Sequence, residues 1–284
     1  VTAPLLEARD LRVAYARKGF RRPPVEILHG VSLDIRPGET VGLVGESGSG
    51  KTTLGRAILG LAPVTGGAIR FDGADITRAP RAQRRRLARD IQVVFQDPYG
   101  SLNPALRIED ILAEPLQVQG VRRDAARERV AELLRQVGLP EDAGARLPRE
   151  FSGGQRQRIA IARALALAPR LIVCDEPVSA LDLSTQARVL DLFIEIQERT
   201  GVALLFVSHD LAVVRHVSHR VAVMYRGDIV EFGRGEVVTS DPDHAYTRRL
   251  LMAAPVPHPA AQQERRAERR RLLEAEAQAR IEAA

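Results

Sequence analysis

The sequence predicts an α/β fold built on a parallel sheet, and three features of the chain lead there. Residues 171–174 and 202–207 are short, almost wholly apolar runs, the composition of strands buried on both faces. Segments with helical spacing lie between and beyond these runs, and strands that alternate with helices pair in parallel. A third apolar run, 41–44, leads into a glycine-rich loop and then into the helical pattern of residues 54–61, which reads as strand, loop, helix.

From the N-terminus, residues 5–15 alternate as a strand does, and residues 16–26 carry Gly19, Pro23 and Pro24 among basic residues and read as a loop. The runs 31–35 and 41–44 are joined by the turn Arg36-Pro37-Gly38-Glu39, and 68–71 runs into a turn at Asp72-Gly73. Three strand signals so closely punctuated predict a small antiparallel sheet beside the parallel core. After an apolar run at 92–95 comes a loop, 96–104, then helical spacing over 108–118 and 125–137 up to Gly138 and Pro140, the pattern of a helical insertion. A helix over 155–167, the acidic-ended strand 171–174, a helix over 184–198 and the strand 202–207 follow. Beyond Pro255 the chain is rich in Arg, Glu and Ala with few large apolar residues, so 255–284 is expected as a solvated helix or tail.

Composition narrows the class. At 284 residues the chain can bury a full core, and 45% hydrophobic with 27% charged residues is the balance of a globular protein. No apolar run is long enough to span a bilayer, and a basic segment followed by a signal-peptide core is absent from the N-terminus, so a cytoplasmic location is expected. The net charge of +6 is spread over a surface that also holds 36 Asp and Glu. The densest basic cluster, Arg81, Arg84, Arg85, Arg86 and Arg89, has no aromatic interleaving, and aromatics make up 4% of the chain, so it reads as a solvated helix face and no nucleic-acid partner is expected. Cys174 is the single cysteine, which excludes an intrachain disulfide and a multi-cysteine metal site; its apolar setting predicts a core thiol.

The glycine-rich loop carries the chemistry. It runs Gly45, Glu46, Ser47, Gly48, Ser49, Gly50, Lys51, Thr52, Thr53, and Lys51 is one of two lysines among 42 basic residues, so a compact ammonium is kept where arginine is otherwise the rule. Glycines let backbone N–H groups face phosphate oxygens, Lys51 reaches the terminal phosphates, and the Thr52 hydroxyl can ligand Mg²⁺ at the helix N-terminus. The strand 171–174 ends in Asp175-Glu176, two acids that repel each other and lose hydration unless a cation is near. Asp175 is placed for the metal and Glu176 for an attacking water. A nucleoside triphosphate is the expected ligand.

A second helix start is also receptive to anions: Ser152, Gly153, Gly154 and Gln155 precede the helical run 156–164. Together with the phosphate loop, Gln96, the Asp175-Glu176 pair, Ser179-Ala180-Leu181-Asp182 and Val207-Ser208-His209-Asp210, in that order along residues 5–254, the chain resembles the ATP-binding-cassette family. The resemblance implies a P-loop NTPase (RecA-like) core with an N-terminal antiparallel β subdomain and an inserted α-helical subdomain at about 97–160. It also implies that residues 45–53 cradle ATP, that Asp175, Gln96 and Thr52 complete a Mg²⁺ shell, that Glu176 is the general base, and that His209 contacts the γ-phosphate. Tyr15, or else Phe20, would stack on adenine. Phe151 stands where leucine is commoner in the signature motif that ends at Gln155. The family pairs two cassettes head to tail, so Ser152, Gly153, Gly154 and Gln155 of the signature motif would serve the partner's nucleotide, and Asp182 is a further nucleotide-binding residue by the same resemblance. His29, His216, His219, His244 and His258 read as surface histidines.

Finer wording, in residues 42–51, 53–56, 95–104 and 241–251, is similar to the dipeptide/oligopeptide importer ATPases, and the basic insertion after Tyr15 to the second of their two ATPase subunits. Ala245 departs from the proline usual between His244 and Tyr246. The partners this resemblance implies are a second, paralogous cassette, two transmembrane permease subunits and an extracytoplasmic solute-binding protein, with the chain peripheral on the cytoplasmic face of the inner membrane. Nickel, glutathione or an oligosaccharide are alternative cargoes. A soluble cassette acting on ribosomes or DNA is the rival class, but such proteins carry paired cassettes, long coiled coils or zinc modules that this chain lacks.

Overall fold

The computed structural model describes residues 3–17 and 23–253. Its first element, β1 (Leu6–Tyr15), buries Leu6, Ala8, Leu11 and Val13, and a register shift between Ala8 and Leu11 keeps both pairs inward although their spacing is odd. Next come β2 (Val25–Ile35), β3 (Thr40–Val44), α1 (Lys51–Ile58), β4 (Val64–Phe71) and the short β5 (Ala74–Asp75). An antiparallel sheet forms in the order β2-β1-β4-β5.

Two expectations are corrected here. The loop predicted over 16–26 ends earlier, since β2 already begins at Val25; its pairing with β1 shifts register twice between Leu11 and Ala14, which breaks the alternation by which a strand is recognised. The run 41–44 does not join the antiparallel sheet. All of β3 is buried, and it pairs in parallel on both sides, so it is a central strand of the larger sheet.

The rest of the chain is α2 (Arg81–Leu87), β6 (Ile91–Val94), α3 (Pro98–Ser101), α4 (Ile108–Val118), α5 (Arg123–Gln136), 3-10 turns at Glu141–Ala145 and Pro148–Glu150, α6 (Gly153–Leu165), β7 (Leu171–Asp175), α7 (Leu183–Thr200), β8 (Ala203–Ser208), α8 (Leu211–Val217), β9 (Arg220–Tyr225), β10 (Asp228–Arg234), α9 (Gly235–Ser240) and α10 (Ala245–Ala253). The second sheet has the order β10-β9-β3-β8-β7-β6, parallel apart from the antiparallel edge strand β10. Alternate residues of β7 and β8 feed two cores. Leu171, Val173, Leu205 and Val207 pack with Leu54 and Ile58 of α1 beneath the antiparallel sheet. Ile172, Cys174, Leu204 and Phe206 pack with α6 and α7, and that core continues into Ile111, Leu112, Val130 and Leu133 of α4 and α5. The thiol of Cys174 is fully buried, and burial pushes its pKa far above the ordinary value.

The basic cluster on α2 is not uniformly solvated. Arg84 turns inward and donates to the carbonyls of Ile58 at 2.9 Å and Ile76 at 2.6 Å, tying α2 to the end of α1. Arg84 lies three residues from the exposed Arg81 within one run of arginines, so no sequence pattern distinguishes it from its neighbours. The predicted tail at 255–284 lies outside the described residues.

Candidate functional site: a phosphate-loop cleft at the ends of the parallel strands

The loop after β3 is fixed by close packing on β9. A Cβ at Gly45 would sit 2.1 Å from the Met224 carbonyl oxygen, so only glycine lets the chain leave the strand there. Ser49 N–H donates to the Glu46 carbonyl at 3.2 Å, closing the loop, and α1 begins two residues on. Lys51 is 4% exposed and folds back over its own loop, donating to the carbonyls of Gly45 at 2.7 Å and Glu46 at 2.9 Å. Burial lowers its pKa, opposed by the charges of Glu176, Asp175 and Glu46. The hydroxyl of Ser49 is buried without a hydrogen-bond partner among the described residues.

Three neighbouring strands deliver their C-terminal residues to the same edge. Asp175 closes β7 and accepts a hydrogen bond from the Thr52 hydroxyl at 3.0 Å; burial raises its pKa. Glu176 follows in the left-handed region at φ 49°, held by its N–H on the Val207 carbonyl at 3.1 Å. One carboxylate oxygen of Glu176 lies 3.1 Å from His209 Nδ1, just past β8, and 3.4 Å from Gln96 Nε2, just past β6. A crevice beyond the carboxyl ends of parallel strands is where open α/β sheets take ligands. Here it is a cleft of about 440 Å³ lined by Tyr15, Ile27, Ser47, Gly48, Gly50, Lys51, Thr52, Thr53, Gln96 and Glu176. Tyr15, at the end of β1, is 36% exposed. Phe20, its alternative, lies outside the described residues.

The second set of predicted residues is gathered elsewhere. Ser152 caps α6 reciprocally: its hydroxyl accepts the Gln155 N–H at 3.3 Å and its own N–H donates to the Gln155 side chain at 2.9 Å. Gly154 lets that helix start press on α7, since a Cβ there would lie 2.2 Å from Thr185 Cγ2. Asp182 caps α7 through the Ser184 hydroxyl at 2.7 Å and the Thr185 N–H at 3.0 Å, which hold its carboxyl far below the usual range. Ser152, Gly154 and Gln155 line a separate cleft of about 450 Å³ with Arg158, Thr185 and Arg188, and no residue lines both clefts. Neither Gly153 nor Asp182 lines the Lys51 cleft.

One residue at the loop was not foreseen. Tyr246, from α10, places its hydroxyl 3.0 Å from the Glu46 N–H; its segment stood out in the sequence, but nothing there indicated what it touches. Of the histidines read as surface groups, His29 pairs with Asp228 at 3.4 Å and His216 with Asp191 at 3.1 Å, whereas His219 and His244 accept backbone N–H groups from Thr40 and Tyr246. His258 lies outside the described residues.

Residues 28–179 match the family model described as ABC transporter. The chain is 54% identical over 236 residues to an oligopeptide transport ATP-binding protein, OppD, of Mycobacterium tuberculosis, covering 83% of this chain and 39% of that protein. It is 51% identical over 263 residues to a putative peptide import ATP-binding protein of Brucella abortus, covering 92% and 82% respectively. A glutathione import ATP-binding protein, GsiA, of Pectobacterium atrosepticum is 49% identical over 265 residues, covering 92% and 42%. The chain thus spans about two fifths of the length of the first of these relatives, 39%. Among solved structures it is similar to the dimeric post-hydrolysis state of the ATP-binding cassette MJ0796 bound to ADP and Pi, at TM-score 0.71 and 30% identity, covering 81% of this chain and 98% of that one. It is also similar to cbiO1 of Clostridium perfringens, part of the ABC transporter complex cbiONQ, at TM-score 0.75 and 26% identity, covering 87% and 95%.

Proposed function

The chain belongs to the ABC transporter family, and from that premise we propose that it is the ATP-hydrolysing subunit of a membrane importer with peptides as its cargo class. The observation that carries the reading is the convergence of Lys51, the Thr52–Asp175 pair and the Glu176–His209 pair on one cleft. Backbone N–H groups of residues 45–53 and the Lys51 ammonium hold the phosphates, and Tyr15 offers its ring to the adenine. Thr52, Asp175 and Gln96 supply oxygen donors, the set that Mg²⁺ prefers, and the depth of Asp175 favours a bound cation because burial alone disfavours its charge. When bound, Mg²⁺ neutralises phosphate charge. Glu176 takes a proton from water, and His209 and Gln96 fix the orientation of its carboxylate.

Ser152, Gly153, Gly154, Gln155 and Asp182 lie apart from the Lys51 cleft, which supports a head-to-tail pairing in which they complete the nucleotide site of a second, paralogous cassette. The remaining partners are two transmembrane permease subunits and an extracytoplasmic solute-binding protein, with the chain peripheral on the cytoplasmic face of the inner membrane. Among the described residues no helix is long and apolar enough to cross a membrane. Glutathione is the second cargo reading, favoured by the relative of that name.

Glu176→Gln tests the assignment of the base. An amide orients water but cannot take its proton, so ATP binding measured by calorimetry should persist while hydrolysis slows by about 10²–10⁴-fold. Wild-type turnover in this variant would remove Glu176 from the role.

A further inference from the structure

The segment 241–253, which the reading above does not use, is built against the phosphate loop. His244 caps α10, its Nδ1 accepting the Tyr246 N–H at 3.2 Å. Glu231 of β10 ties down the preceding turn by accepting the N–H groups of Asp243 at 2.9 Å and His244 at 3.2 Å. Arg248 folds back onto the carbonyls of Pro242 at 3.0 Å and Asp243 at 2.9 Å. Ala245 occupies the first helical position, where an N–H needs no partner within the helix, so alanine can replace proline there without disturbing the cap. The turn so fixed seats the Tyr246 ring 4.2 Å from that of Tyr225, leaving Tyr246 3% exposed.

The hydroxyl of Tyr246 accepts the Glu46 N–H at 3.0 Å. That N–H and the Gly45 carbonyl belong to one planar peptide unit, and the carbonyl accepts from Lys51 Nζ at 2.7 Å. The same rigid plane is therefore gripped on one side by Tyr246 and on the other by the lysine that meets phosphate. Turning the plane breaks both bonds at once, and hydrogen bonds in series polarise one another.

We infer that Tyr246 is a positioning residue for the nucleotide site: its hydroxyl fixes the Gly45–Glu46 peptide, and with it Lys51, in the arrangement that receives phosphate. The inference rests on the nucleotide reading of the loop. Tyr246 acts through the peptide and touches no phosphate itself. Without it the loop must be ordered when the ligand arrives, and that cost surfaces as weaker binding.

Tyr246→Phe keeps the ring on Tyr225 and removes only the hydroxyl. MgATP affinity is measured by calorimetry for the wild type, Tyr246→Phe and Lys51→Ala, beside the thermal midpoint of each and the kcat and KM of the assembled complex. The expected result is a Kd and KM raised by about three- to tenfold in Tyr246→Phe with kcat unchanged, the loss of one neutral hydrogen bond. A variant with a lowered thermal midpoint but wild-type affinity, or with kcat reduced at unchanged KM, overturns the inference; if Lys51→Ala still abolishes binding, the nucleotide reading survives. A wild-type chain that binds no ATP removes both. If Tyr246→Phe does not fold, hydrogen exchange in the nucleotide-free wild type decides: a slowly exchanging Glu46 amide supports the anchor, and a freely exchanging one overturns it.

Discussion

Lys51 in this structure spends its hydrogen bonds on the carbonyls of Gly45 and Glu46, close to the place where phosphate oxygens would compete for them. A buried ammonium so held is ready to exchange neutral acceptors for charged ones, and charge-assisted bonds contribute roughly 1.5–3 kcal/mol each. Lys51→Ala should therefore raise the Kd for MgATP at least about tenfold, while the thermal midpoint without nucleotide changes little because the same truncation relieves an unfavourable burial of charge. Calorimetry beside a melting curve checks both halves; unchanged ATP affinity would contradict the placement of Lys51 on the phosphates. At this scale the site was largely legible. The loop, Gln96, Asp175, Glu176 and His209 are chemistry-bearing residues in a fixed order, and the structure brings Gln96 and Glu176 to the cleft of the loop, with Asp175 bonded to Thr52 and His209 to Glu176. Tyr246 was not legible, because its role depends on a contact across 200 residues of chain.

The elements show where pattern reading works and where it fails. Helices α4 to α7 follow directly from apolar spacing because each buries one stripe on a shared core. The assignment of β3 to the wrong sheet has a physical cause: a fully buried run carries no alternation, so periodicity cannot say which neighbours it has, and only the following phosphate loop marks it as central. The two sheets are tied by an ion pair that no local pattern announces. Arg220 of β9 forks onto both carboxylate oxygens of Asp34 in β2 at 2.9 and 3.0 Å, and that hydrogen bonding holds the Asp34 carboxyl below its usual range. Asp34→Asn should cost about 1 kcal/mol, discounted for the partial exposure of the pair. Because the folded-state value is depressed, the contribution is complete above the unfolded carboxylate range, near pH 4, and is lost as pH falls through the folded value. Denaturant titrations of wild type and variant should therefore differ at neutral pH and converge in acid; a constant difference would show that the pair is not the cause.

For the whole molecule the decisive arrangement is the separation of two clefts that the proposed function joins in one reaction. In the proposed function the Lys51 cleft binds and cleaves the nucleotide, and the Ser152 cleft lies at the start of α6, sharing no lining residue with it. A single copy thus presents two separate clefts, and under the proposed head-to-tail pairing each is half of a shared nucleotide site. Ser152→Arg isolates that claim, since a bulky cation at the α6 cap blocks closure, removes the serine hydroxyl and displaces the glycine N–H groups from where transition-state charge would be stabilised. The measurement is the MgATP affinity of the isolated variant together with the ATP turnover of the complex reconstituted with its partners. The account predicts a Kd within about twofold of wild type, a difference too small to reflect a lost hydrogen bond, and turnover reduced to background. Loss of ATP binding by the isolated chain would place Ser152 in its own nucleotide site and contradict the shared-site architecture, as would undiminished turnover in the reconstituted complex.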